Sequence, residues 1–495
     1  MATDEAPLCA RCKEQRGVLD LRSEAVCQTC FATFVASKTI KRLEVLQRET
    51  RGTRLPSRPQ RYLLALSRGP SSTALLHILN ENVRRQRERN QRVKFELVVV
   101  FVDVDVDVKA ETEQRNGTSQ PDAASSLPTN GTANTVSSTD AFTAHFPDLP
   151  IHTVSLSSIL SSHTIDWSLL PSPNPSLPPS QRLADFFSRL PSASARADVS
   201  RLLIRHALYA AATAHDCAVI LLGYNTTSLA ELTLSEAAKG RGFGIPWFVN
   251  DGAFPLPRAI DLGPVESTTT TTTASATPEE RADGIQDVSR GLASARISDN
   301  SDGTTNTTST SIQIYSPLRE IFRKEILTYL STVSSPAGPL SDLFPSLSTT
   351  SSSSSRVADA GGGGVRDPGT TNGSAVVSHR DLSLDDVVTR FFADVEASYP
   401  SVVANVVRTT GKLKRVAPVV ISGSATQVDA DDDTGVIGRQ CRLCGVGLDP
   451  LGDERWKGEI GEAEVTNAST IDDGGNVEGK KRGRLCYGCE RSVRG

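Results

Sequence analysis

The chain has 495 residues, of which 38% are hydrophobic and 22% are charged, and its formal net charge at pH 7 is -4. This length allows two or three domains with a buried core, and the near-neutral charge does not by itself indicate nucleic-acid binding. The first thirty residues carry Asp4, Glu5 and four cysteines in place of an apolar core, and the longest apolar tract, 207–223, is interrupted by His215 and Asp216. The sequence therefore predicts neither a signal peptide nor a membrane span, and we expect a cytosolic protein.

Eight of the nine cysteines form Cys-x-x-Cys pairs, two pairs at each end of the chain. The first set is Cys9, Cys12, Cys27 and Cys30, and the second is Cys441, Cys444, Cys486 and Cys489. Two such pairs complete a tetrahedral shell, which in a reducing compartment favours structural zinc over redox dithiols or an iron–sulfur cluster. The two sets could also exchange pairs if the chain ends meet. The remaining Cys217 precedes an apolar run and is interpreted as a buried core thiol, not as a sulfur-carrying nucleophile.

Residues 61–108 have the pattern of a βαβ unit of a parallel sheet. An apolar run at 62–66 precedes a Ser/Gly/Pro loop at 67–72, an amphipathic helix and a second, β-branched run at 97–102. The loop of such a unit directs backbone N–H groups and the positive end of the helix dipole toward a bound ligand, which is usually a phosphate. The alternative interpretation is a tight connection whose serines cap the helix.

Further apolar patterns predict an α/β core with parallel strands and helices on both faces. Strands are predicted at 150–156 and 217–223, and helices at 181–190, 198–215, from the turn after 223 to about 239, at 316–326 and, broken at Tyr399-Pro400-Ser401, within 385–413. The Pro-rich stretch 161–180 is expected to be a loop.

Composition divides the chain into five predicted segments, with disorder where apolar content is too low to fold. They are an N-terminal zinc knuckle with a basic connector at 1–60, an α/β domain at 61–330 with low-complexity insertions at 110–141 and 264–311, a disordered linker at 331–380, a helical segment at 381–416, and a C-terminal zinc-binding module with an insertion at 417–495.

Basic residues are concentrated in two intervals, 38–61 and 84–94. Such a surface could follow a phosphate backbone, although a solvated face is the commoner explanation when charge is the only signal. We interpret the late basic residues in the same way, as a solvated helix C-terminus in preference to an RNA contact. They are Arg408, Lys412, Lys414 and Arg415.

The loop at 67–72 resembles the pyrophosphate-binding loop of the ATP-pyrophosphatase (PP-loop) superfamily, whose pattern is Ser-Gly-Gly-x-Asp-Ser. Ser67, Gly69 and Ser72 match this pattern and are the candidate nucleotide-binding residues. Arg68 replaces the first glycine, where a side chain is expected to crowd the pyrophosphate. Ser71 replaces the acidic residue, which is expected to remove a contact on the magnesium side.

Several motifs in order resemble the cytoplasmic tRNA 2-thiolation protein 2 family over almost the whole chain. They are the paired cysteines at both ends, the Ser-x-Gly-x-Ser-Ser loop, the Leu-Leu-Gly-Tyr-Asn-Thr-Thr turn at 221–227, the Pro317-Leu318-Arg319 segment and the stretch from Tyr399 to Thr409. The resemblance implies a PP-loop core, similar to adenine nucleotide alpha-hydrolases, with zinc modules at its two ends.

The resemblance also implies a function in the complex that makes the 2-thiouridine of mcm5s2U at the wobble position of the tRNAs for Lys, Glu and Gln. A catalytic PP-loop partner would use ATP and magnesium to adenylate the uridine, and a thiocarboxylated ubiquitin-related modifier, which is also conjugated to proteins (urmylation), would supply sulfur. Active members carry Gly-His-x-x-Asp-Asp after the fourth strand, where this chain has Tyr224, Thr226 and Thr227. With both catalytic segments degenerate, we predict a tRNA-binding heterodimer subunit without catalytic residues of its own.

Two other functions stay open. One is a self-sufficient ATP-dependent tRNA sulfurtransferase, for which Ser67, Gly69 and Ser72 are the argument. The other is a non-enzymatic zinc-knuckle RNA-binding scaffold. Magnesium-ATP binding by the isolated chain would favour the first, and retention of wobble 2-thiouridine without the protein would favour the second.

Overall fold

The computed structural model describes residues 7–50, 59–91, 93–104, 138–255, 311–344, 382–415, 440–448 and 485–495. Most of the predicted insertion at 110–141, nearly all of that at 264–311, the linker beyond residue 344 and the interior of the C-terminal module lie outside these ranges.

The described strands form a six-stranded sheet and two small hairpins. They are β1 (Leu19–Leu21), β2 (Glu24–Val26), β3 (Gln60–Ala65), β4 (Phe95–Asp103), β5 (Ile151–Ser155), β6 (Cys217–Leu221), β7 (Gly252–Pro255), β8 (Ser311–Tyr315), β9 (Ser334–Ser335) and β10 (Gly338–Pro339). The large sheet has the order β5-β4-β3-β6-β8-β7. All neighbouring strands in it are parallel except β7, which runs antiparallel to β8 at the edge. The predicted α/β core with a parallel sheet is confirmed.

Helices cover both faces of this sheet. They are α1 (Gln28–Thr50), α2 (Pro70–Glu88), α3 (Ser138–His145), α4 (Pro179–Ser188), α5 (Ala193–Ala214), α6 (Thr226–Ala238), α7 (Ile245–Val249), α8 (Arg323–Thr332), α9 (Leu384–Ser398), α10 (Pro400–Thr410) and α11 (Tyr487–Arg494). Short 3-10 turns lie at Leu156–Ser161, Trp167–Leu169, Gly242–Gly244 and Leu340–Leu343. No helix in the described part of the chain combines the length and apolarity that a membrane crossing requires.

Successive strand residues alternate between two hydrophobic layers, as the period of a β-strand requires. Leu64 and Val219 contribute to the layer that contains α1, α2 and α8, together with the N-terminal cysteines. Leu63 and Ile220 contribute to the layer that contains α4, α5, α6, α9 and α10, together with the C-terminal cysteines. The two cysteine modules therefore pack on opposite faces of the sheet.

Three elements differ from the sequence prediction. The basic connector before β3 is largely the long helix α1, and residues 331–344, assigned to the linker, complete α8 and form the β9–β10 hairpin. The helix predicted at 316–326 begins only at Arg323, because the preceding residues form a turn that buries Leu318 and Ile321 in the core. The loop predicted at 161–180 contains the turn at Trp167–Leu169.

Candidate functional site

The loop after β3 connects the carboxyl end of that strand to the N-terminus of α2. Gly69 is the N-cap of α2 and Pro70 follows at its first position, where a missing N–H is tolerated. Ser67 Oγ lies 3.1 Å from Ser72 Oγ, and the Gly69 carbonyl accepts a hydrogen bond from Ser72 Oγ at 3.0 Å. The structure thus brings together the three residues that match the PP-loop pattern.

Arg68 adopts a conformation that glycine would favour. Its φ of 57° is in the left-handed region, which costs a non-glycine residue about 1 kcal/mol. Its guanidinium carbon lies 3.6 Å from the centre of the Phe101 ring in β4, an arrangement that gives cation–π attraction. Arg68 therefore has a backbone conformation that glycine adopts without strain, while its side chain stacks on the neighbouring strand.

Ser71 joins this loop to the turn after β6. Asn225 Nδ2 donates a hydrogen bond to Ser71 Oγ at 2.8 Å, and Asn225 Oδ1 accepts one from the Ser228 N–H at 2.8 Å to cap α6. A side chain at Gly223 would place a Cβ 2.9 Å from the Ser72 Cα, so the close approach of the two loops requires glycine there. The position of the PP-loop acid is used to hold two loops together.

Thr226 and Thr227, which stand in the second catalytic segment, are also engaged by the chain itself. Thr226 Oγ1 donates to the Arg319 carbonyl at 2.9 Å. Thr227 Oγ1 donates to the buried carboxylate of Glu396 in α9 and accepts a hydrogen bond from the Arg323 N–H at 3.2 Å. Counted from Gly223, the two acidic positions of the second pattern are Thr227 and Ser228, and Ser228 Oγ accepts a hydrogen bond from the Asn225 N–H at 2.8 Å. Positions 71, 227 and 228 therefore supply hydroxyl groups that make hydrogen bonds within the chain, in place of carboxylates that could face magnesium.

Glu396 is a site residue that the sequence analysis missed. It is 5% exposed, and its Oε1 accepts a hydrogen bond from the Lys324 N–H at 2.9 Å, at the start of α8. A carboxylate at a helix N-terminus accepts hydrogen bonds from free N–H groups and interacts favourably with the positive end of the helix dipole. The signal in the sequence is its spacing, because Glu396 continues the buried stripe of Val388 and Phe392 on α9.

The N-terminal cysteines converge as their spacing predicts. The sulfurs of Cys9, Cys12, Cys27 and Cys30 all lie within 4.8 Å of one another. Cys12 Sγ and Cys27 Sγ are 3.9 Å apart, and the Cys30 N–H donates to Cys27 Sγ at 3.4 Å. Backbone N–H groups, that of Cys12 first, lower the pKa of Cys9 to about 6, which favours the thiolate that a metal requires.

The C-terminal cysteines form a second, separate group with the same geometry. Their sulfurs also lie within 4.8 Å of one another, with 3.8 Å between Cys444 Sγ and Cys486 Sγ. The Cys486 N–H donates to Cys441 Sγ at 3.2 Å. Although burial alone would raise the pKa of Cys441, hydrogen bonds from the other three cysteines hold it well below its usual value.

Both groups suit a single tetrahedral ion. A metal–sulfur distance of about 2.3 Å gives a tetrahedron with sulfur–sulfur edges of about 3.8 Å, which agrees with the separations found here. Each set closes on itself, so the two ends of the chain do not exchange pairs.

Cys217 is outside both groups. It is 8% exposed at the start of β6, and burial raises the pKa of its thiol to about 11. The interpretation as a buried core thiol is confirmed.

The C-terminal module is fastened to the core by buried polar contacts. His206 Nε2 lies 2.7 Å from the Leu443 carbonyl, inside the third Cys-x-x-Cys pair. Arg241 is 3% exposed and donates to Glu236 Oε2 at 2.7 Å and to Asp198, whose Oδ2 also accepts a hydrogen bond from Ser492 Oγ of α11 at 2.7 Å. His206 and Leu443 are 237 residues apart in the sequence, so local sequence patterns could not reveal this contact.

Comparison with known proteins agrees with this architecture. The family model of cytoplasmic tRNA 2-thiolation protein 2 matches residues 383–491. Proteins of that name are similar over most of the chain: one from Sclerotinia sclerotiorum is 30% identical over 81% of this chain and 80% of its own length, and one from Phaeosphaeria nodorum is 28% identical over 99% and 95%. One from Pyrenophora tritici-repentis is 27% identical over 98% and 94%.

A solved structure is also similar: the U34-tRNA thiolase NcsA from Methanococcus maripaludis with its [4Fe-4S] cluster. It is 12% identical with a TM-score of 0.38 and aligns with 86% of this chain and 95% of its own. The family follows from the similarity to the Sclerotinia sclerotiorum relative, which extends over about four fifths of both chains. The chain belongs to the cytoplasmic tRNA 2-thiolation protein 2 family.

Proposed function

We propose that this chain is a non-catalytic subunit of the cytoplasmic complex that 2-thiolates the wobble uridine of the tRNAs for Lys, Glu and Gln. Family membership supports the reaction, and the use of Ser71, Thr227 and Ser228 in hydrogen bonds within the chain supports the non-catalytic assignment. The second observation carries the proposal, because a subunit that adenylated uridine would need these positions free to face magnesium-nucleotide.

A catalytic PP-loop partner completes this proposal. The partner would bind ATP and magnesium and adenylate C2 of the uridine, and the thiocarboxylated end of a ubiquitin-related modifier would deliver the sulfur. The degenerate loop of Ser67, Gly69 and Ser72 would keep the fold of a nucleotide site in this subunit and leave adenylation to the partner.

Zinc is the ion we assign to both cysteine groups. Four thiolates at tetrahedral spacing, with no fifth ligand among the residues that the structure describes, are typical of structural zinc, which crosslinks chain segments and leaves no open position for chemistry. Cys9, Cys12, Cys27 and Cys30 would fasten the start of α1 to the β1–β2 hairpin. Cys441, Cys444, Cys486 and Cys489 would fasten α11 to the segment at 440–448.

The test is reconstitution with separately purified subunits. This chain, the catalytic partner and their complex are each incubated with a wobble-uridine tRNA transcript, magnesium-ATP and a sulfur donor, and 2-thiouridine is quantified by mass spectrometry. We expect product only from the complex.

Each other outcome favours one of the alternatives. Product from the isolated chain would show a self-sufficient sulfurtransferase. Full activity of the partner alone, together with normal 2-thiouridine in cells lacking this protein, would show a scaffold unrelated to thiolation.

A further inference from the structure

A basic groove of about 630 Å³ lies beside the carboxyl edge of the sheet, next to Thr226. Six basic side chains line it against three acidic ones, a net charge of +3. The basic residues are Arg22, Lys38, Arg42, Arg319, Arg408 and Lys412. This concentration contrasts with the net charge of -4 of the whole chain, so the groove is not an average piece of surface.

The cations come from four separate parts of the chain. Arg22 lies in the turn between β1 and β2, Lys38 and Arg42 lie on α1, Arg319 follows β8, and Arg408 and Lys412 lie at the end of α10. A run of charge in the sequence gives a basic helix face without any tertiary arrangement. Convergence from segments almost four hundred residues apart requires the fold itself to assemble the groove.

Three of the cations, Arg22, Arg42 and Arg319, are held in place by buried acids. Asp251 is 5% exposed at its side chain and pairs with Arg42 Nη2 at 2.7 Å and with Arg319 Nη1 at 2.8 Å. Arg22 is paired at 2.6 Å with Glu325 at the start of α8. One carboxylate shared by two guanidinium groups fixes their positions and leaves part of their positive charge for a ligand.

Arg408 lies in the last turn of α10, Lys412 lies two residues beyond its end, and both are exposed. Arg408 Nη1 donates to Asn405 Oδ1 at 3.2 Å, and no carboxylate of the described residues lies within ion-pair distance of either side chain. Cations without an opposing acid contribute most to the attraction of a polyanion. This arrangement differs from Arg415, whose guanidinium is committed to the carbonyls of Pro246, Asn250 and Ala253.

We propose that this groove binds consecutive phosphates of an RNA strand, so that this subunit holds tRNA beside the loops at the carboxyl edge of its sheet. The inference rests on the proposed function for the identity of the RNA. Guanidinium groups held by buried acids, together with exposed cations that have no carboxylate partner among the described residues, suit a phosphodiester backbone, which presents regularly spaced single charges. The groove volume is in the range of ligand clefts, and its position follows the rule that α/β sheets bind at the carboxyl ends of their strands.

The test is the affinity of the full chain for a fluorescently labelled tRNA transcript, measured by anisotropy at several salt concentrations without ATP or partner. The double variant Arg408→Gln/Lys412→Gln should weaken binding about tenfold near 0.1 M salt and reduce the slope of log affinity against log salt by about 1 to 2. The control Arg196→Gln/Arg390→Gln makes the same charge change at exposed helix positions that do not line the groove. Its affinity and slope should stay within about twofold of the parent.

Three results would overturn the inference. They are equal effects of the two double variants, no effect of either double variant, and no measurable affinity of the parent chain for tRNA. Competition with unlabelled tRNA and with magnesium-ATP separates the two sources of phosphate. Displacement by ATP as readily as by tRNA would assign the groove to a nucleotide and also overturn the inference. The binding assay does not depend on thiolation. If the chain binds tRNA through the groove but supports no thiolation, the proposed function is contradicted and the groove inference is not.

Discussion

Arg241 donates a hydrogen bond from Nη1 to Cys489 Sγ at 3.8 Å, and both residues are buried. The same guanidinium pairs with Glu236 Oε2 at 2.7 Å and with Asp198. Four thiolates around a divalent ion carry a net charge of about -2, and a neighbouring cation offsets part of it. Arg241 is therefore a positioning residue that joins the C-terminal cysteine group to α5 and α6.

Replacing Arg241 by Met should accelerate metal loss from the C-terminal group and lower the free energy of unfolding by about 3 to 5 kcal/mol, because two buried carboxylates lose a partner. Metal release is followed with a chromogenic chelator in a background where Cys9→Ser and Cys12→Ser disable the other site. Arg201→Met is the matched control, since Arg201 pairs with Asp198 and Glu236 but donates to no cysteine. Equal release rates in the two variants would show that the sulfur contact has no effect on metal retention.

Gly488, next to Cys489, packs closely against the core. A Cβ at this position would lie 2.4 Å from Arg241 Cγ and 2.6 Å from the Lys239 carbonyl oxygen. We expect Gly488→Ala to cost about 1 to 3 kcal/mol through overpacking and to release the C-terminal segment to proteases. Gly242→Ala is the control, because a Cβ there meets nothing within 4 Å. Similar melting temperatures for these two variants would contradict the close docking of α11.

The hydrogen bonds of Glu396 with Thr227 and Lys324 predict that this carboxylate stabilises the start of α8. Glu396→Ala leaves the Lys324 N–H and the Thr227 hydroxyl without their acceptor in a buried site, which costs about 1 to 3 kcal/mol. The loss should be visible in chemical denaturation and as faster amide exchange at 323–327. Asp394→Ala, an exposed acid on the same helix, should change stability by less than about 0.5 kcal/mol.

The features that the sequence predicted correctly are local in the chain. Cys-x-x-Cys spacing, the βαβ pattern at 61–108 and the strand after Cys217 each depend on neighbouring residues, and all three are present in the structure. The start of α8 was misplaced because Leu318 and Ile321 are spaced as on a helix but are buried by a turn, which Asp251 stabilises by accepting a hydrogen bond from the Ser316 N–H at 2.7 Å.

The features that the sequence did not predict depend on tertiary contacts. Glu396 reaches Thr227 across 169 residues, and Arg22 reaches Glu325 across 303. Hydrophobic periodicity gives no information about partners that are so far apart in the chain. A buried acid in an apolar stripe, or a set of scattered basic residues, can therefore be interpreted in several ways until the tertiary structure is known.

His77 predicts a pH effect on stability. It is 9% exposed on α2, its Nδ1 lies 2.9 Å from the Tyr329 hydroxyl, and burial lowers its pKa below the usual value of about 6.5. The unfolded chain therefore binds a proton at this position before the folded chain does, so stability contributed by neutral His77 is complete above about pH 6.5 and is lost as pH falls toward the lower folded pKa.

We expect His77→Gln, which keeps a hydrogen-bonding side chain, to reduce the loss of unfolding free energy between pH 7.5 and 5.5 relative to the parent chain, as measured by urea denaturation. Tyr329→Phe is the matched control, because it removes the hydroxyl partner but keeps the buried imidazole. It should lower stability by about 1 kcal/mol at both pH values and retain the pH dependence. An unchanged pH dependence in His77→Gln would show that this imidazole does not couple folding to protonation.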